Sequence, residues 1–403
     1  MRDARWILPL LFIAVTSAAP TLPQQGASAV SAVIKAATDR GDVPGVAVAV
    51  VNKDGMLYNE AAGKSRTLTN IPMAKDTIFN MASMTKPVTS VAIMILVDEG
   101  KLKLDDEVAK YLPQWKDPLV ISKFNEADAS YETRPAKRPI TIRHLLTHTS
   151  GIGYGFASPM LTTIMEKTKK TELDMPLLFD PGEGWAYGAS TRVLGQVVEA
   201  ISGQKIDAFL DSRILAPLGM HDTGYLVPES KYARVVAVNR RGNDGKFIEQ
   251  PVPDKIPAAV QGDGGLYGTP SDYGLFLRML LNRGTLNGKR IISQRSVAAM
   301  LRSNTGNVVV KEQQSANQAL SRNFPLGAGR DKWGLGFQLA ADRQPNRRSP
   351  GSGTWAGIFN THFFIDPVKE LGVIVMMQTL PFYDEASMKL YADVEEAVYK
   401  NLK

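Results

Sequence analysis

The sequence predicts an α+β protein: an antiparallel sheet flanked by helices, assembled from both chain ends, with a mostly helical domain inserted between them. Two observations predict this. Strand patterns crowd the beginning and the end of the chain, while the middle carries helical periodicity and turn signals. The composition supports it, because 403 residues with 44% hydrophobic and 22% charged side chains are ample for a large core. The expected parts are residues 27–112 and 259–403 for the sheet domain and residues 113–258 for the helical insertion.

The first eighteen residues read as an export signal. "MRDAR" is a positive n-region, "WILPLLFIAV" an apolar stretch too short to span a bilayer, and "TSAA" a small-residue cleavage region, with the cut expected after Ala18. The expectation is a periplasmic or secreted protein with no stable membrane insertion once the signal is removed. Cysteine is absent, so disulfides, thiol nucleophiles and cysteine metal sites are excluded. The net charge of +7 is spread along the chain, without the clustered run that marks a nucleic-acid partner.

The elements follow in order. "ASAVSAVIKAATDRGDV" has helical spacing and ends at Gly41. "VPGVAVAVVNKDGMLYNEAAG" reads as two strands joined at Asp54-Gly55. Ser83 to Glu99 reads as a buried helix closed by Gly100, with Ser83 at or near its N-cap. Residues 122–138 are polar and Pro-bearing and read as an exposed loop. "ITIRHLLTHTSG" resumes a helix to Gly151, and "STRVLGQVVEAISG" is another. A Gly-rich turn, "GDGGLYG", leads into a further helix. "TWAGIFNTHFFID" and "LGVIVMMQ" form an antiparallel hairpin, the first being edge-like, and "DEASMKLYADVEEAVYKNL" is a closing amphipathic helix.

Two S-x-x-K motifs occur. "SGQK", Ser202 to Lys205, sits at a helix C-terminus and is structural. "SMTK", Ser83 to Lys86, opens the long apolar helix, which places both side chains on one face near the positive end of the helix dipole. Desolvation and that dipole both push a buried lysine there toward a neutral amine, which can take the proton of a serine hydroxyl. The alternative for this motif alone is a capping serine with a solvent-facing lysine. Tyr187 lies in a Gly-flanked turn before a helix, and "SPGSGTWAGIFNTHFFID" is a small-residue strand that a ligand can approach closely.

With these stretches in this order, the chain resembles the serine β-lactamase-like superfamily over residues 27–400, in the branch of class C β-lactamases and family VIII carboxylesterases. The resemblance implies an active-site cleft between the sheet and helical domains. It implies Ser83 as nucleophile, Lys86 as its partner and Tyr187 as proton shuttle. Trp355-Ala356-Gly357 stands in the place of a Lys-Thr-Gly triplet, and the N–H groups of Ser83 and Ile358 are the implied oxyanion hole. Two departures stand out. The tyrosine motif lacks its asparagine, for which Ser190 is the one substitute, and Trp355 replaces the lysine that attracts substrate carboxylates. An apolar aromatic there favours neutral esters.

Other constellations carry less. His144 and His148 stand i, i+4 but lack the glutamate of a zinc-protease motif, and His362 reads as packing after a strand, so no metal is expected. "GDGGLYG" has no Walker lysine, so no cofactor is expected; in the superfamily Gly264 and Gly265 would line the cleft. Tyr267, Tyr273 and Trp333 read as core. The expected activity is hydrolysis of small-acyl esters through an acyl-enzyme. Alternatives are a β-lactamase or D-amino-acid amidase or peptidase, acyl transfer, and a penicillin-binding sensor without turnover. The expected partner is a small-molecule ester or amide; nothing in the sequence sets an oligomeric state.

Overall fold

A computed structural model describes residues 19–256 and 258–403. The expected export signal, residues 1–18, lies outside them. Eight strands form the main sheet: β1 (Gly45–Asn52), β2 (Met56–Arg66), β3 (Ile71–Pro72), β4 (Lys332–Trp333), β5 (Gln338–Leu339), β6 (Gly353–Gly357), β7 (Thr361–Asp366) and β8 (Leu371–Met376). Their spatial order is β4-β5-β6-β7-β8-β1-β2-β3, every pairing antiparallel, so the first and last strands of this sheet along the chain meet at the β8–β1 seam. The sheet is built from both chain ends, as the sequence implies.

Five helices of twelve or more residues occur among the described residues: α1 (Gln24–Asp39), α2 (Thr85–Asp98), α3 (Ser190–Ser202), α4 (Pro270–Leu281) and α5 (Glu385–Asn401). The side-chain alternation of β1 sorts the layers. Val46, Val48 and Val50 pack with Val30 and Ile34 of α1 and Val394 and Val398 of α5. Ala47, Ala49 and Val51 face the other cluster, with Phe276 and Leu277 of α4 and Val91 of α2. Both faces are covered, which is why β1 is an unbroken apolar run in an antiparallel sheet. Helix α2 runs through the core, with twelve of its fourteen residues buried, and Gly100 follows it at φ +69°.

Several local expectations are corrected. Residues 122–138 are no loop: Leu119–Asn125 and Ser130–Pro135 pair as an antiparallel hairpin. "ITIRHLLTHTSG" forms helix only over Ile142–Leu146. "TWAGIFNTHFFID" is two strands, β6 and β7, with a turn between them, so His362 lies inside a strand. β6 is not a free edge, since β5 pairs with Gly353 and Thr354; its stretch from Trp355 to Gly357 is left open on that side. Among the described residues no helix is long and apolar enough to cross a membrane.

Candidate active site

Ser83 stands in a 3₁₀ turn, Ala82–Met84, that leads directly into α2. The turn is tight enough to hold Ala82 at φ +45°, a strained value for a residue with a Cβ. Ser83 lies near the N-cap, as expected, one residue ahead of it. The N-cap position itself belongs to Met84, which makes no side-chain cap bond, and the Ser83 hydroxyl points elsewhere. Lys86 and Pro87 fall in the first turn of α2, where a missing N–H leaves no helical bond broken.

Two more segments close on this turn. The stretch before α3 is pinned to residues 148–152: the Ala186 N–H donates to the His148 carbonyl at 3.0 Å and the Gly182 N–H to that of Thr149 at 2.7 Å. A Cβ at Gly188 would lie 2.0 Å from the Ile152 carbonyl oxygen, so only glycine lets Tyr187 sit there. On the other side, a Cβ at Gly357 would stand 2.3 Å from the Met81 carbonyl oxygen. Glycine therefore allows β6 to run against the backbone just ahead of Ser83.

The three predicted side chains converge. Ser83 Oγ is 2.6 Å from the Tyr187 hydroxyl and 3.0 Å from Lys86 Nζ. Lys86, 2% exposed, also donates to the Asp263 carbonyl at 2.7 Å. Its Nζ sits 4.9 Å from the Tyr187 ring centre and 5.2 Å from that of Tyr154. Such a set can pass a proton between hydroxyl, amine and phenol without any group moving far.

Ser83 opens into a cavity of about 240 Å³ lined by Tyr187, Trp355, Ala356, Gly357, Ile358 and Gly264, among others. Open hollows of about 1040 and 670 Å³ exist elsewhere, but neither borders Ser83. Trp355 stacks obliquely on Tyr187, ring centres 4.8 Å apart. Ser190 is the exception among the predicted contacts. It is fully buried and its hydroxyl pairs with that of Ser150 at 2.8 Å, so it does not replace the missing asparagine amide in the lining.

The lining also holds residues that the sequence did not single out, chiefly Tyr154, Phe156, Glu172, Arg192, Asp263 and Phe382. The buried Asp263 carboxylate accepts from the Tyr154 hydroxyl and from Arg192 Nε at 3.2 Å, and Arg192 also meets Glu172 at 3.3 Å. Burial, then the Asp263 charge, pushes the Tyr154 phenol well above its usual range. Burial draws the Arg192 guanidinium down, but Asp263 outweighs it and the net shift is upward. The signals were there, an Arg after the tyrosine turn and an Asp in the Gly-rich turn, but no spacing links them.

The histidines have structural places. His144 Nδ1 accepts from the Thr141 N–H in a capping box. His148 packs 5.2 Å from the Tyr187 ring, and burial, then the Lys86 charge, lowers it to about 3. His362 stacks on Tyr391 of α5. Tyr273 and Trp333 are core residues, whereas Tyr267 is half-buried and meets Asn80. Gly265, at φ +104°, turns the chain beside the cleft. Ser202 bonds back to the Val198 carbonyl near the end of α3, the structural place expected of the second motif.

Comparison with known proteins agrees with this fold. A family model described as Beta-lactamase matches residues 30–397. Protein Rv1367c of Mycobacterium tuberculosis is 31% identical over 366 residues, covering 86% of this chain and 89% of that protein. Esterase EstB of Burkholderia gladioli is 30% identical over 394 residues, covering 88% and 90%. A solved mutant of simvastatin synthase (LovD) from Aspergillus terreus superposes with a TM-score of 0.80 at 25% identity, over 94% of this chain and 95% of that one. A family match across most of the sequence, relatives of this identity and a sheet joined from both chain ends lead to one conclusion: the chain belongs to the Beta-lactamase family of serine hydrolases.

Proposed function

We propose that the protein cleaves carboxylic esters with small, uncharged acyl groups through an acyl-enzyme on Ser83. The observation that carries this reading is the contact of Ser83 Oγ with both Tyr187, at 2.6 Å, and Lys86, at 3.0 Å, at the wall of one cavity. Ser83 Oγ attacks the ester carbonyl carbon as its proton passes to the Lys86–Tyr187 pair. The backbone N–H groups of Ser83 and Ile358 hold the developing oxyanion. As the tetrahedral intermediate collapses, the C–O bond to the alcohol breaks and the pair returns the proton to the leaving oxygen. Water then repeats the sequence against the acyl-enzyme, which releases the acid and restores the Ser83 hydroxyl.

Neutral substrates are favoured on two grounds. Trp355 stands where a lysine would attract a carboxylate. Arg192, the one cation in the lining among the described residues, is already paired with Asp263 and Glu172. A volume of about 240 Å³ is below the usual range for ligand pockets, which favours short acyl chains. The relative named an esterase supports ester cleavage over lactam or peptide hydrolysis.

The test is a series of p-nitrophenyl esters from acetate to octanoate beside a chromogenic cephalosporin. Turnover is expected to be best with the short esters, to decline with chain length, and to be far slower with the cephalosporin. Ser83→Ala should abolish it, by a factor on the order of 10⁴ or more. Ester turnover that survives in Ser83→Ala would end the reading.

A further inference from the structure

We propose that the buried cluster of Tyr154, Asp263 and Arg192 is a positioning device for Lys86, fixing the turn whose carbonyl aims the lysine amine at Ser83. This rests on the roles given to Ser83 and Lys86 above. Where the N–H donors of an amine go decides how the whole group is turned, and so what its remaining positions face. Here one N–H has a defined acceptor, the Asp263 carbonyl at 2.7 Å, beside the 3.0 Å contact with Ser83 Oγ.

That carbonyl belongs to a turn with little side-chain packing of its own. Gly262, Gly264 and Gly265 surround Asp263, and Gly265 stands at φ +104°. A segment of this kind keeps its place only through its anchors. Three are polar contacts with α2 itself: Lys86, the Thr89 hydroxyl donating to the Gly262 carbonyl at 2.7 Å, and the Leu266 N–H donating to Thr85 Oγ1 at 3.2 Å. The Met81 N–H donating to the Leu266 carbonyl at 2.9 Å is another, and the last is the Asp263 carboxylate, 4% exposed, held by the Tyr154 hydroxyl and by Arg192 of α3.

An ion pair that served only to join segments would act from any residue of the turn. This one acts from the residue whose carbonyl holds Lys86. Tyr154 also belongs to the segment that carries the Tyr187 turn, and its ring lies 5.1 Å from that of Tyr187 and 5.2 Å from Lys86 Nζ. One cluster thus sets both partners of the serine. Asp263 and Arg192 make no contact with Ser83, so they position rather than react.

The experiment compares Tyr154→Phe, Asp263→Asn and the double variant of the full chain. It reads kcat and KM on p-nitrophenyl butyrate and the rate at which a fluorophosphonate labels Ser83, with thermal unfolding as a check on folding. Each single variant is expected to lower kcat about 10- to 100-fold with KM within about threefold, and to slow labelling in proportion. The double variant should be no worse than Asp263→Asn within about threefold, since parts of one unit are not additive.

The proposal falls if a folded single variant keeps kcat and labelling within about twofold of the parent, if the loss appears only in KM, or if the two losses multiply. Tyr154→Phe, which deletes one hydroxyl from a cavity wall, decides alone should Asp263→Asn not fold. Ser83→Ala separates the two levels. Activity surviving there removes the serine reading itself, whereas an inactive Ser83→Ala beside unaffected cluster variants removes only the cluster.

Discussion

At the residue scale the candidate site divides by how its members are encoded. Ser83, Lys86, Tyr187 and the Trp355-Ala356-Gly357 run are legible because each sits in a local pattern and, taken in this order, the patterns resemble those of the superfamily. Ser-x-x-Lys puts two side chains on one helix face, and Gly188 and Gly357 mark places where no Cβ fits. Gly357→Ala is accordingly expected to cost about 1–3 kcal/mol, as an overpacked site does, and to lower kcat by shifting β6 away from the Ser83 turn. Chemical denaturation and ester kinetics check both effects. Trp355→Lys tests the other member of the run. Its indole fills the wall beside Tyr187, so the variant should raise KM for neutral esters several-fold while improving relative turnover of a carboxylate-bearing cephalosporin. A variant with unchanged preference would show that Trp355 packs without selecting. By contrast Tyr154, Arg192 and Asp263 come from three distant segments. Each is unremarkable in its own neighbourhood, and nothing but the fold makes them one cluster.

At the element scale, α2 was legible because it is buried all round, which leaves a long apolar run bounded by Gly100. The hairpin at 119–135 was not, because both of its faces are largely exposed and no alternation betrays its strands. The same helix shows what the apolar run conceals. Thr85, Lys86 and Thr89 are polar residues inside the core, and all three bond to the Gly-rich turn of residues 262–266. Thr89→Val keeps the shape but strands the Gly262 carbonyl, so a loss of about 1–3 kcal/mol is expected. Because this turn carries the carbonyl that holds Lys86, kcat should fall as well, with KM little changed. Urea unfolding together with steady-state kinetics reads both. A stable variant with full kcat would mean that the turn keeps its place without the Thr89 bond.

At the scale of the whole molecule, two fully buried histidines tie stability to pH from opposite sides of the sheet. His148 lies among Tyr187, Trp185 and Trp333 by the cleft, and His362 lies between Phe382 and Tyr391 on the α5 side. Burial, assisted by the Lys86 charge in one case and the Arg348 charge in the other, lowers each to about 3. Burial, then the Arg138 charge, lowers His144 as well, to about 4. An unfolded histidine titrates near 6.5, so below that pH the unfolded chain gains three protons that the native chain refuses. Stability is therefore complete above pH 6.5 and declines steadily as the pH falls toward 3. Native carboxylates such as Asp106 and Asp222, lowered to about 2 chiefly by hydrogen bonds from Tyr111 and Arg234, add to the decline only below about pH 4. Between pH 7 and 5 the histidines act nearly alone, and a loss of a few kcal/mol is expected. His362→Phe can keep the stacking on Tyr391 while removing one of three proton sites, so it should lower the slope of stability against pH in this window by about a third. Urea midpoints at pH 7, 6 and 5 for both proteins measure that slope. Parallel curves would mean that His362 takes its proton in the native state, and the close-packed α5 layer around it would then have to admit a charge.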